Sequence, residues 1–176
     1  VFQSVCLNCG EKYNILFTDN LAYKHNNSLF NIDLLEDMEV FSTVISNWFN
    51  NEDLAYCFDI IIENYLSKKV SNARRFTNSI SSFEAFYKLF AKEKQTKLNK
   101  KIVDYKKAFT SIDSNIDNIG QFGSKIIRIR DYYVHGNREQ KVEHDNNDLL
   151  HYSLLIDFVV IKELSSILGF NEVYLQ

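Results

Sequence analysis

Apolar residues recur along most of this chain at helical spacing, and the places where the rhythm breaks divide it into elements. From Asp33 onward, Leu34, Met38, Phe41, Ile45 and Trp48 follow at steps of 4, 3, 4 and 3, with acids in the first turn, and predict a helix over 33–49. Asn50 and Asn51 break it, and Leu54, Phe58, Ile61, Ile62 and Tyr65 start a second. A third begins near Ser71 or Asn72 and carries Phe76, Ile80, Phe83, Phe86, Tyr87 and Phe90 on one face, an aromatic load that marks a core helix. The most regular run is Leu98, Ile102, Tyr105, Phe109, Ile112, Ile116 and Ile119, alternating steps of 4 and 3, which predicts one helix of about 22 residues ending at Gly120. Gly123 separates it from a further helix bearing Phe122, Ile126, Ile129 and Tyr133, expected to stop at Gly136, where glycine supplies a left-handed cap. Residues 137–147 read as a polar loop. Residues 149–168 are apolar on most of their circumference and close at Gly169, as the central helix of a bundle does.

The first 18 residues differ, alternating loosely around Asn8, Cys9 and Gly10, and predict a short β-hairpin. Asn26, Asn27 and Ser28 then read as a linker. The expected organisation is a remnant of an upstream region over 1–30, in a chain that opens on Val1 and is expected to be an excerpt, followed by a helical domain over 31–176. The absence of proline and the presence of only 5 glycines in 176 residues favour long helices over turn-rich β architecture. The expected fold class is therefore all-α, a helical bundle with a short N-terminal hairpin. The most apolar run, 154–161, is interrupted by Asp157, and no stretch approaches the ~18 apolar residues of a membrane span. Three cysteines are too few and too odd for a disulfide scaffold and point to a reducing cytoplasm.

The net charge of -3 hides a segregation. Residues 1–70 hold 4 basic against 10 acidic side chains and residues 142–176 hold 1 against 6, whereas 85–109 carry 8 lysines against 2 acids and 124–141 carry 5 basic residues against 2. Side by side, the two basic stretches would form a strip that attracts phosphate; apart, they are solvated helix faces.

Candidate chemistry concentrates at 127–137. Arg130 offers the planar, cationic fork of an arginine for phosphate, while His135 supplies an imidazole, a side chain suited to moving a proton. Asp131 lies four residues before His135, on the same helical face, where it can orient the imidazole. On a regular helix Arg130 and His135 point about 140° apart, so convergence needs unwinding at Gly136 or a second copy of the chain. The plainer reading makes these residues surface charges at a helix end, with His135 favoured by the helix dipole.

Arg130-Asp131-Tyr132-Tyr133-Val134-His135-Gly136 resembles the R-polar-x3-H signature of the HEPN family, the higher-eukaryote and prokaryote nucleotide-binding domains. The preceding helix from Arg74, Arg75 and Phe76 to Phe90, with Glu84 central, and the last helix running to Leu168, Gly169 and Phe170 are similar to the ApeA-like branch, over about 50–176. Members commonly carry asparagine after the motif arginine, where this chain carries Asp131. The resemblance implies a metal-independent endoribonuclease of a toxin or anti-phage defence system. It would act as a homodimer, require no cofactor, and be held in check by an antitoxin or an upstream sensor domain. Arg130, His135 and Asp131 are then the catalytic candidates, and Asn137, Arg138, Arg128 and Lys125 the candidates for binding RNA. His135 would serve as base or acid for attack by the ribose 2′-hydroxyl, leaving a 2′,3′-cyclic phosphate. A non-catalytic helical dimerisation or nucleotide-sensing module fits the same pattern.

Other constellations carry less. Cys6 and Cys9 make half a zinc knuckle with no second pair, and Asp148 with His151 makes half a di-iron motif with no partner, so no metal is expected. Asp59 and Glu63 are read as the wet side of helix two, and no phosphate-cradling loop or serine elbow occurs.

Overall fold

The structure, a computed structural model, describes residues 2–6, 12–16, 38–66, 69–91, 96–140 and 144–170. The expected turn at Asn8, Cys9 and Gly10, the linker at 26–28 and the first turn of the helix expected over 33–49 lie outside those residues. The chain divides into two units, Val1–Asp33 and Leu34–Gln176. In the first, β1 (Phe2–Cys6) and β2 (Lys12–Leu16) pair antiparallel, with Phe2 opposite Leu16 and Cys6 opposite Lys12.

The second unit is all-α among its described residues. Its helices are α1 (Met38–Asn50), α2 (Glu52–Leu66), α3 (Asn72–Phe90), α4 (Leu98–Asp104), α5 (Lys106–Ile112), α6 (Ile119–His135) and α7 (Asn146–Leu168), with a 3-10 turn at Arg138–Gln140. Local chemistry sets several of their ends. Ser71 caps α3 by accepting from the Arg74 amide at 3.3 Å. Asp145 and Asp148 form a reciprocal capping box at the start of α7, and Gly169, at φ 105°, closes its end.

α3 and α7 make the most extensive helix pair, and both feed one buried core, α3 with Phe76, Ile80 and Phe83 and α7 with Leu155, Ile156 and Val159. On α2 the buried stripe is Leu54, Cys57, Ile61 and Asn64, so Ile62, one of the apolar positions of the expected helix, faces outward, while Tyr65 is half exposed with its hydroxyl reaching Asp157. Burial and the nearby Asp53 push the Cys57 thiol up to about 11, which leaves it a packing group rather than a nucleophile at neutral pH.

The single helix expected over 98–119 does not form. The chain kinks at Tyr105 (φ -97°, ψ 21°), because the ring there serves three neighbours, meeting Phe83, Phe86 and Tyr87 edge-on at 5.9, 5.4 and 6.0 Å. The helix then stops at Asp113, whose carboxylate accepts from the Asn115 amide at 2.9 Å, and Asn118 starts α6 by accepting from the amides of Gly120 and Gln121. These local bonds compete with the helix ladder and override the apolar rhythm. Gly123 is likewise not a boundary. It lies inside α6, where its missing side chain admits Asn99 of α4; a Cβ there would stand within 3.3 Å of the Asn99 Cγ. That close approach seats α4 on α6.

A polar cluster is buried where α2, α3 and α7 meet. Asn64 donates to Ser79 Oγ at 3.1 Å and to Asp157 Oδ2 at 3.4 Å, and Ser79 shares a 2.8 Å hydrogen bond with Ser153. Desolvation pushes the Asp157 carboxyl up to about 6, opposed by hydrogen bonds from Ser79, Asn64 and Tyr65 and by the charge of Arg75. An unfolded aspartate releases its proton near ~4. Between those two values the folded chain therefore binds the extra proton, and stability falls as pH rises through the window. Asp157→Asn places an amide where Asp157 Oδ1 has no partner among the described residues. Thermal melts should show the variant matching the parent near pH 4 and exceeding it by on the order of 2–3 kcal/mol at pH 7; a difference that does not change with pH would contradict the assignment.

Candidate functional site

α6 positions the candidate residues. One side of it, Ile119, Gly123, Ile126 and Ile129, is buried against the bundle, and the other is open. The helix stays regular through His135 and turns only at Gly136, at φ 64°, whose amide, like that of Asn137, folds back onto the Asp131 carbonyl. His135 therefore stands in the last turn, on the outer side, with its ring largely exposed.

Arg130 emerges from the opposite, bundle-facing side of α6 and is only partly exposed. Its fork is held at both tips. Nη2 lies 3.4 Å from Glu84 Oε2 on α3, and Nη1 donates to Asp131 Oδ1 at 3.1 Å. The second oxygen of Glu84 takes Lys101 Nζ of α4 at 3.4 Å, and that ammonium, nearly buried, also lies 5.5 Å from the centre of the Tyr87 ring. Asp131 Oδ1 is in turn 4.0 Å from His135 Nε2. Despite the 140° divergence of a regular helix, side-chain length brings the guanidinium within hydrogen-bond distance of one carboxylate oxygen and the imidazole to 4.0 Å from the same oxygen.

The remaining candidates fall in two places. Asn137 and Arg138 follow the cap and are exposed. Lys125 and Arg128 lie upstream, lining an open pocket of about 440 Å³ with Asn118, Gly120, Gln121 and Ser124. The Lys125 ammonium stands 5.2 Å from the centre of the Tyr152 ring, and hydrogen bonding to Tyr152, with Asp148 nearby, holds its pKa above the ordinary value against partial desolvation. The two basic stretches are neighbours, since α4 packs on α6, but the contact sinks Lys101 beneath Glu84 rather than laying a continuous strip of free cations.

Two partners were not apparent as site residues from the sequence. Glu84 is the only acid in α3, and that isolation among aromatic neighbours is the signal that marks it. His144 receives or gives a 2.9 Å hydrogen bond with the Tyr133 hydroxyl, so Tyr133, expected in the core, is 37% exposed and belongs to the surface beside the motif. His151 pairs with Asp113 at 2.9 Å and ties the loop before α6 to α7. The Asn115 amide and His151 together hold the Asp113 carboxyl below its ordinary range, against slight desolvation.

Among the described residues no group of three or more His, Cys, Asp or Glu side chains stands close enough to hold a metal ion, and no helix is long and apolar enough to cross a membrane. No curated protein and no solved structure matches the chain. A family model described as Apea-like HEPN matches residues 47–174, nearly the whole stretch on which the sequence resemblance rests. With that match across most of its length and a helical bundle carrying the R-polar-x3-H motif on α6, the chain belongs to the Apea-like HEPN family.

Proposed function

We propose that the chain is a metal-independent endoribonuclease that cleaves RNA by attack of a ribose 2′-hydroxyl on the adjacent phosphate. The observation that carries this is the approach of Arg130 and His135 to a single oxygen of Asp131, 3.1 and 4.0 Å away, at the exposed end of a capped helix. His135 takes the 2′-hydroxyl proton as the new O–P bond forms, and returns it to the 5′-oxygen as the old P–O bond breaks, leaving a 2′,3′-cyclic phosphate. Arg130 stabilises the charge that grows on the phosphate oxygens. A guanidinium has five N–H donors, so the bonds to Glu84 and Asp131 leave others for the phosphate. Asp131 and Glu84 are positioning residues: they aim the fork and the ring without touching substrate. Asn137 and Arg138, exposed just past the cap, take the flanking phosphates on this reading.

A second copy of the chain completes the reading, its motif facing the first across one cleft. Val134 and Tyr133, exposed in the last turn beside His135, offer that copy an apolar contact. The biological setting that goes with this activity is a toxin or anti-phage defence system in the cytoplasm, restrained by an antitoxin or sensor domain.

His135→Ala should abolish cleavage of mixed RNA in the presence of a chelator while leaving the circular dichroism spectrum unchanged; a variant that still cuts would place the chemistry elsewhere. DNA of the same sequence should stay intact, because it lacks the nucleophile, and equal cutting of DNA would overturn the mechanism. Glu84→Gln removes an anion near the phosphate but loosens Arg130. Its expected signature is a kcat lower by roughly 10–100-fold with an unchanged or lower KM. A raised KM with normal kcat would show that Glu84 does not position the arginine.

A further inference from the structure

The outer side of α6 carries a second pattern beyond the motif. Gln121, Lys125, Arg128, Tyr132 and His135 follow at steps of 4, 3, 4 and 3 and so lie in one row along the helix, on the side away from the buried Ile119 and Ile126. Residues 125–135 of this row span about 15 Å at ~1.5 Å per residue.

Two of its members, Lys125 and Tyr132, are held in place rather than loose on the surface. Lys125 is held over the Tyr152 ring, so its ammonium is already placed and loses little freedom on meeting an anion. With the exposed Arg128 it lines the 440 Å³ pocket at the upstream end of the row. No acid lines that pocket itself; Asp117 directly precedes its Asn118 and Asp148 stands near Lys125, while Asp113, farther along the loop, is engaged by His151 and Asn115. At the downstream end Tyr132 is braced edge-on by two other rings, Tyr133 at 5.0 Å and His144 at 6.4 Å, and these two contact each other at 5.5 Å. Its own ring is partly open to solvent, one helical turn from His135. A fixed aromatic face beside the imidazole, followed by two cations one and two turns away, is the chemistry of a groove for an unpaired strand: a base stacks on the ring and successive phosphates meet the cations.

We infer that the outer row of α6 is a track for single-stranded RNA, with the base beside the scissile linkage stacked on Tyr132 and the next phosphates held by Arg128 and Lys125. The inference rests on the nuclease reading for its polarity and adds the residues that hold the strand and their footprint. The 15 Å track matches about four nucleotides stacked at ~3.4 Å each. A duplex would not serve, because its bases are paired and cannot leave the stack to reach Tyr132.

The test is fluorescence anisotropy on the full chain with labelled 2′-O-methyl oligouridylates, which bind but lack the attacking hydroxyl. The six-residue strand should bind at least about tenfold tighter than the two-residue strand, because only the longer one reaches Arg128 and Lys125. Exchanging both cations, Lys125→Gln with Arg128→Gln, should remove that gain and lower the salt slope by roughly 1.4, about 0.7 for each phosphate no longer neutralised. Tyr132→Leu should weaken six-residue binding about tenfold and Tyr132→Phe should restore it. Equal affinity for short and long strands, or wild-type binding by both Tyr132→Leu and the double glutamine variant, would overturn the track. Arg128 is exposed, so its exchange tests the proposal even where Tyr132→Leu fails to fold. Cleavage of natural RNA with no dependence on strand length would defeat the track and leave the nuclease reading standing, whereas length-dependent binding without any cleavage would defeat the nuclease reading alone.

Discussion

An arginine that rises from the bundle-facing side of a helix and is gripped at both tips by carboxylates is the constraint on which the site depends. Glu84 holds one tip of Arg130 from α3 and Asp131 holds the other from within α6. Without the pair, the side chain would be free to sweep through many rotamers, and freezing it at the moment of reaction would cost on the order of 1–2 kcal/mol. With it, the guanidinium is already in place, and its partner Asp131 also faces His135. Pairing also balances charge: Lys101 and Arg130 share Glu84 and Asp131 supplies a second negative charge, so a nearly buried ammonium and a partly buried guanidinium stand together without an uncompensated cation.

The bundle is built so that these groups meet. Glu84 reaches Arg130 because α3 is fixed by its aromatic side against α7 and the kinked α4–α5 pair, with Tyr105 as the common contact of Phe83, Phe86 and Tyr87. Lys101 reaches Glu84 because Gly123 lets α4 come close to α6. Gly136 then releases the chain at the end of α6, so that His135 remains in the final turn and Asn137 and Arg138 stand beside it. Packing far from the chemistry thereby fixes the separation of two reacting groups, and a shift of α4 or α3 is felt at the site through Glu84.

How much of this is legible in the sequence follows the range of the interactions. Ends set by a neighbour in sequence are readable: Ser71 before α3, Gly136 after α6 and Gly169 after α7 each act on their own backbone. The region 98–119 is misread because the apolar rhythm continues across it, while the aromatic cluster that bends the chain at Tyr105 exists only after α3 has packed. Asp113 and Asn118 were readable signals of a break, since both residue types favour turns and caps, and the regular spacing outweighed them. The identities of Arg130, Asp131 and His135 are likewise legible as chemistry, and Arg130 with His135 as a divergent pair on a regular helix. That they meet over one oxygen, and that Glu84 supports them, depends on tertiary packing. Tyr133 reads as core from its place in the apolar pattern, yet its hydroxyl is drawn to His144 at the surface, a partner eleven residues away across a loop.

A double-mutant cycle on cleavage of an RNA strand in chelator tests most directly whether the fork and the ring act as one unit. Arg130→Ala, His135→Ala and the combination would be measured by single-turnover kinetics. Groups that serve one transition state are strongly non-additive, so the double variant should be about as slow as the worse single variant. Independent losses that multiply, or appreciable cutting by the double variant, would contradict it.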